Sequence, residues 1–133
     1  MSRIRVLLAD DLESILEQIG AALGAEFEIV GAVSNGQDAV VEAERLDPDV
    51  LVIDVSMPVL DGLQAAAQLR SRNQRTRIVF LTVHNDEDFI DAAFLAGASG
   101  YVIKSDLTTD LVPAIREALV GHIYVSQSIL NRH

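Results

Sequence analysis

The stretch Val50-Leu51-Val52-Ile53-Asp54 decides the fold. Four consecutive apolar residues, mostly β-branched, make a run too short and too apolar to face water on either side, as expected of a parallel strand covered by helices on both faces. It stops abruptly on a carboxylate. Three other runs behave alike: Val6 to Ala9 stops at Asp10 and Asp11, Ile78 to Leu81 stops at Thr82, and Tyr101 to Ile103 stops at Lys104. Open parallel sheets bind ligands at the carboxyl ends of their strands, where the strand order reverses. Three carboxylates, a hydroxyl and an ammonium are therefore expected at one rim. That set makes a divalent-metal site with a potential nucleophile and two groups able to hold a phosphoryl oxygen.

Working outward, strand-like runs fall near 4–9, 27–33, 50–54, 77–82 and 100–103, each followed by a helical pattern. The first helix is expected to bury Leu12, Ile15, Leu16, Ile19 and Leu23 along one face. The second is capped by Asn35 and ended by Asp47 and Pro48, and the third shows Gly62, Ala65, Ala66 and Leu69 at helical spacing. Asp86 caps the fourth, with Ile90, Ala93, Phe94 and Gly97 on one face. The fifth is expected to start near Thr108 or Thr109, with Pro113 in or near its first turn. Five βα units predict an α/β, flavodoxin-like, doubly wound five-stranded parallel sheet in the order 2-1-3-4-5 with five helices. Its switch point lies between strands 1 and 3, which end on Asp10, Asp11 and Asp54. The domain is assigned to residues 1–121, and 122–133 to a C-terminal tail or truncated linker.

At 133 residues the chain fits one domain, and with 50% apolar and 23% charged residues it is globular in composition. There is no cysteine, which excludes disulfides and thiolate metal sites. No apolar stretch reaches the roughly 18 residues of a membrane span. Met1, Ser2 and Arg3 lead straight into a strand without a signal-peptide pattern, so a cytoplasmic protein is expected. The net charge of -10 argues against direct binding to nucleic acid or anionic lipid. The one basic cluster, Arg70, Arg72, Arg75 and Arg77, reads as solvated surface. Lys104 is the single lysine beside nine arginines. A compact point charge on a flexible stem suits a site that must hold one oxygen and shift its grip.

Each of these residues also has a plain structural reading. Asp10 or Asp11 can serve as a helix cap, Thr82 as a strand terminus, His84 as a surface loop residue and Tyr101 as sheet packing. Proximity weakens the first of these: two carboxylates about 4 Å apart repel by roughly 4 kcal/mol at an effective dielectric near 20, so a third is tolerable only with a shared cation. Oxygen ligands with water in the remaining positions suit Mg²⁺ or Mn²⁺. There is no Walker loop, dinucleotide fingerprint or Gly-flanked serine elbow, and no second acid two positions after Asp54, which disfavours nucleotide-binding enzymes, Ser-His-Asp hydrolases and the usual aspartate phosphatases.

Together these residues closely resemble the receiver domain of bacterial two-component response regulators, over about residues 4–120. The resemblance implies that Asp54 is the phosphoryl acceptor and that Asp10, Asp11, Asp54 and the backbone carbonyl of Ser56 hold Mg²⁺. It further implies that Thr82 and Lys104 bind phosphoryl oxygens and that Thr82 and Tyr101 form the switch. The donor would be a phosphohistidine of a sensor histidine kinase, and a homodimer on phosphorylation is one output. Leu81 to Asp88 and Gly121 to Ser126 are most similar to the NarL/FixJ class, in which a LuxR-like DNA-binding helix-turn-helix follows the receiver. A stand-alone receiver or a pseudo-receiver acting as a binding module is the alternative, and a metal-dependent hydrolase is a third reading. Ser105 stands where many receivers have proline, and Val83 where a very small residue is usual.

Overall fold

The computed structural model describes residues 3–130 except position 73; Met1, Ser2 and the last three residues of the expected tail, 131–133, lie outside the described residues. The chain runs β1 (Ile4–Ala9), α1 (Glu13–Leu23), β2 (Phe27–Val33), α2 (Gly36–Leu46), β3 (Val50–Ile53) and α3 (Gly62–Ser71). It continues through β4 (Arg77–Thr82), α4 (Glu87–Leu95), β5 (Gly100–Ile103), a 3₁₀ turn (Lys104–Asp106), α5 (Leu107–Leu119), β6 (Tyr124–Val125) and α6 (Gln127–Leu130). All strands pair in parallel in the order β2-β1-β3-β4-β5-β6. The doubly wound fold and the order of the first five strands agree with the sequence reading. The count of five strands and five helices is corrected to six and six among the described residues, because part of the expected tail joins the sheet.

Successive residues of a strand face opposite sides, so each apolar run feeds two cores. Val6, Val52, Val79 and Val102 pack against α1 and α5, while Leu7, Ile53, Phe80 and Tyr101 pack on the side of α2, α3 and α4. β3 and β5 are buried at every position, which is why their sequences do not alternate. Asn35, Asp61 and Asp86 accept from backbone N–H groups in the first turns of α2, α3 and α4. Three local expectations shift. Leu12 lies outside α1 and is 51% exposed, because the chain turns on Asp10 before the helix begins. Helix α4 ends at Leu95, which leaves Gly97 in the following loop at φ 101°. Helix α5 begins at Leu107, so Pro113 lies inside the helix, beyond its first turn, where it removes the bond to the Thr109 carbonyl.

Gly62 opens α3 directly beneath the loop that follows β3. A Cβ there would stand 2.0 Å from the Asp54 carbonyl oxygen and 2.9 Å from its carbon, both backbone atoms that cannot swing away. Gly62→Ala is therefore expected to cost about 3 kcal/mol, at the upper end of overpacking changes. A chemical-denaturation midpoint unchanged from the parent would contradict it.

Candidate functional site

The parallel register sets β1 and β3 side by side, Ala9 opposite Ile53, so the residues that follow them, Asp10 and Asp54, leave the sheet together. Both are buried, and Asp11 is exposed at the mouth. One oxygen from each of the three carboxylates lies within 4.8 Å of the others. Lys104 reaches in from the end of β5 and places Nζ 2.8 Å from Asp10 Oδ2 and 3.0 Å from Asp54 Oδ2. The solitary lysine thus bridges two carboxylates that would otherwise repel.

The second oxygen of each buried carboxylate is held by backbone: Leu12 N–H donates to Asp10 Oδ1 at 2.9 Å, and Ser56 N–H to Asp54 Oδ1 at 3.2 Å. Asp10 Oδ2 is different. It sits at ion-pair distance from Lys104 yet receives no directed hydrogen bond, leaving a buried acceptor only electrostatically compensated. A deficient oxygen beside two further carboxylates fits a hard divalent cation, which takes oxygen ligands and keeps several waters.

Burial pushes the Asp54 carboxyl above its ordinary value; the hydrogen bond and charge of Lys104 oppose that rise, and the nearby Asp10 charge adds to it. For Lys104, burial alone would lower the ammonium, but Asp10 and Asp54 outweigh it and hold the group above its ordinary value. The cation is therefore secure at neutral pH, and the Asp54 anion is the group that carries the cost of desolvation.

Thr82, at the end of β4, is wholly buried, and its hydroxyl accepts from His84 N–H at 3.2 Å. No hydrogen bond joins it to Asp54. Tyr101 is wholly buried with its hydroxyl donating to the His84 carbonyl at 2.7 Å. Burial, followed by the charges of Asp86 and Asp54, raises that phenol. Of the two sequence readings for Tyr101, this state shows the packed one. The Lys104–Ser105 peptide is trans. Val83 is 68% exposed.

His84 does more than its reading as a loop residue implied. Its Nε2 is 2.8 Å from Ser56 Oγ, and its ring stacks on Phe89 with centroids 4.0 Å apart, so one imidazole ties the β3–α3 loop to the start of α4 across the mouth of the site. The spacing of each residue after its strand, Ser56 two beyond Asp54 and His84 two beyond Thr82, was the available signal. The β3–α3 loop also holds Val59 at φ 70°, a left-handed conformation unusual for a β-branched side chain.

A doubly wound α/β domain whose switch point carries buried acids bridged by a lysine defines a phosphoryl- or metal-handling class. The sequence profile of the response regulator receiver domain matches residues 6–116, and the chain belongs to that family. It is 33% identical over 127 residues to the nitrate/nitrite response regulator protein NarL of Escherichia coli K12, covering 93% of this chain and 58% of that protein. To the transcriptional regulatory protein PdtaR of Mycobacterium tuberculosis H37Rv it is 40% identical over 116 residues, covering 86% of this chain and 56% of PdtaR. The crystal structure of a LuxR-family two-component response regulator from Aurantimonas sp. SI85-9A1 superposes with a TM-score of 0.90 at 30% identity, covering 98% of this chain and 94% of that one. The chain spans little more than half the length of the two curated relatives. Among the described residues no helix is long and apolar enough to cross a membrane.

Proposed function

We propose that this domain is a phosphorylation-activated signalling switch of a cytoplasmic transcription regulator, accepting a phosphoryl group on Asp54 from a sensor histidine kinase. The observation that carries the proposal is the Lys104 bridge, one cation shared by two buried carboxylates at the switch point of the sheet. An Asp54 carboxylate oxygen attacks the phosphorus of a phosphohistidine, the P–N bond breaks, and the imidazole leaves with the bonding pair. Asp10, Asp11, Asp54 and the Ser56 carbonyl would hold Mg²⁺, which supplies charge neutralisation as the acyl phosphate forms. Lys104 releases Asp54 and follows the new phosphoryl oxygens, and the Thr82 hydroxyl turns toward them from His84 N–H. Water later hydrolyses the acyl phosphate, so the domain catalyses only its own modification and its reversal. The output is a changed surface for partners, a second copy of the domain among them, and DNA is contacted by other parts of the regulator. The names and lengths of the relatives support that placement, and the intact acid set favours it over a pseudo-receiver.

Incubation with acetyl phosphate and Mg²⁺ is expected to add one phosphoryl group by intact mass, mapping to the peptide containing Asp54. Turnover of a generic phosphoester without stable labelling would instead support the hydrolase reading. Mg²⁺ alone is expected to stabilise the fold. With a dissociation constant on the order of 1 mM, about 10 mM metal adds roughly 1.4 kcal/mol and raises the melting midpoint by about 5 °C. Asp11→Ala should lose most of that gain, and melting curves insensitive to millimolar Mg²⁺ would count against the metal site.

A further inference from the structure

The segment after α5 is fastened to the part of the chain that carries Lys104. Ser126 is wholly buried, its N–H donates to the Tyr101 carbonyl at 3.0 Å, and its Oγ accepts the N–H of Ile103 at 2.9 Å. In a parallel ladder the Ile103 N–H would be taken by the backbone carbonyl of the residue at position 126. That carbonyl instead accepts from Ile129 N–H at 3.0 Å and begins α6. The Ser126 hydroxyl therefore completes the ladder at the point where the backbone leaves it, on the N–H of the residue immediately before Lys104. Two further bonds hold the segment: Ser128 Oγ donates to Asp106 Oδ2 at 2.5 Å, at the end of the 3₁₀ turn that begins with Lys104, and Tyr124 OH donates to the buried Asp110 carboxylate of α5 at 3.0 Å. Ile129 is buried in the core cluster that contains Tyr101 and Ile103.

We infer that Ser126 is a positioning residue for Lys104, and that residues 124–129 form a clasp coupled to the phosphorylation site instead of a tail. The coupling rests on the receiver reading above, since Lys104 leaves Asp54 only if a phosphoryl group arrives. The clasp fixes the backbone from which the lysine reaches Asp10 and Asp54. By reciprocity, moving the lysine loads the Ile103–Ser126 contact, and loosening the clasp frees the lysine.

Because Lys104 is the only lysine, acylation by an amine reagent, mapped to its peptide, reports its sequestration in the full chain. Ser126→Ala is expected to raise its labelling rate about fivefold in unphosphorylated protein, the scale of one net hydrogen bond. Ser128→Ala, at an exposed position, should give a smaller rise, and Ser126→Thr, which keeps the hydroxyl, should return the rate toward the parent. Ile19→Val, which loosens the core under α1, should not accelerate labelling at comparable melting temperature. Parental labelling rates in both serine-to-alanine variants would overturn the positioning role, as would equal acceleration by Ile19→Val. Phosphorylated parent protein should show altered amide exchange at Ile103 and at residues 124–126. Unchanged exchange with Asp54 occupied would overturn the coupling. Absence of any phosphoryl group on Asp54 would sink the receiver reading, while the labelling in unmodified protein still decides the positioning role.

Discussion

Asp54→Asn is expected to abolish phosphoryl acceptance and to leave the fold at least as stable as the parent at neutral pH. The first half follows from the nucleophile: an amide oxygen cannot form the acyl phosphate, and neither Asp10 nor Asp11 follows the central strand opposite both Lys104 and Ser56 N–H. The second half follows from the direction in which burial moves the carboxyl. An acid whose pKa is raised by folding favours the native state at low pH, and that contribution is lost as pH rises through the native pKa. Asparagine removes this cost together with the repulsion from Asp10, while giving up the charge-assisted bond from Lys104. The stability difference, variant minus parent, should therefore grow as pH rises from the acid side of the carboxylate range to neutrality. Phosphoryl addition to the variant at the parent's level would refute the assignment, and a difference that shrinks with rising pH would refute the electrostatic account.

Lys104→Ala is expected to separate chemistry from signalling. The proposed acceptor and the carboxylates proposed to hold the metal remain, so phosphorylation at Asp54 should proceed. Two buried carboxylates would lose their shared cation, however, and breaking a buried pair from one side costs about 3 kcal/mol, a large part of a small domain's stability. Lys104 is held charged by those same acids, so its contribution is fully present at neutral pH and disappears only as pH rises through its elevated pKa. The deficit of the variant should shrink as the carboxylates protonate in acid, and millimolar Mg²⁺ should repair part of it at neutrality. The phosphorylated variant should fail to change amide exchange around Tyr101, because no ammonium remains to draw the 3₁₀ turn toward the added charge. Arginine should rescue incompletely, its planar fork being a poor substitute for a point charge at a site sharing one cation between two oxygens. A variant that switches fully at equal occupancy would show that the lysine does not couple the site to the surface.

The rim was legible because parallel strands buried on both faces cannot alternate, and their uninterrupted apolar runs mark where each ends. Asp10, Asp54, Thr82 and Lys104 stand out against that background as polar residues at strand termini. The caps at Asn35 and Asp86 were legible for a local reason, each accepting from the first turn of its helix. What escaped was whatever depends on docking. Tyr124–Val125 is a strand of two residues with no periodicity of its own, defined only by the edge of β5. Its one advance signal lies before it, where Gly121 at φ 85° turns the chain out of α5 with His122 N–H donating to the Glu117 carbonyl, so that the chain returns to the sheet. The start of α5 was displaced for a similar reason: Leu107, wholly inside the core, draws the helix past the threonines that would otherwise cap it. The Ser56–His84 bridge joins two loops that are distant in sequence, and beyond the matching two-residue offset of each from its strand end nothing within either loop announces the pairing.

The short sixth strand has a further consequence, for how the molecule behaves in a crowded solution. Without it β5 would be the outermost strand, presenting the Tyr101 carbonyl and the Ile103 N–H beside strongly apolar side chains, an edge on which another chain could add a strand. Ser126 occupies both groups, its N–H on the Tyr101 carbonyl and its hydroxyl on the Ile103 N–H, and the chain then turns into α6, so the new edge is too brief to template another strand. A piece of the protein ended at Gly121 would retain every acid of the rim yet expose a sticky border, and should form concentration-dependent oligomers through that edge more readily than the longer unphosphorylated chain.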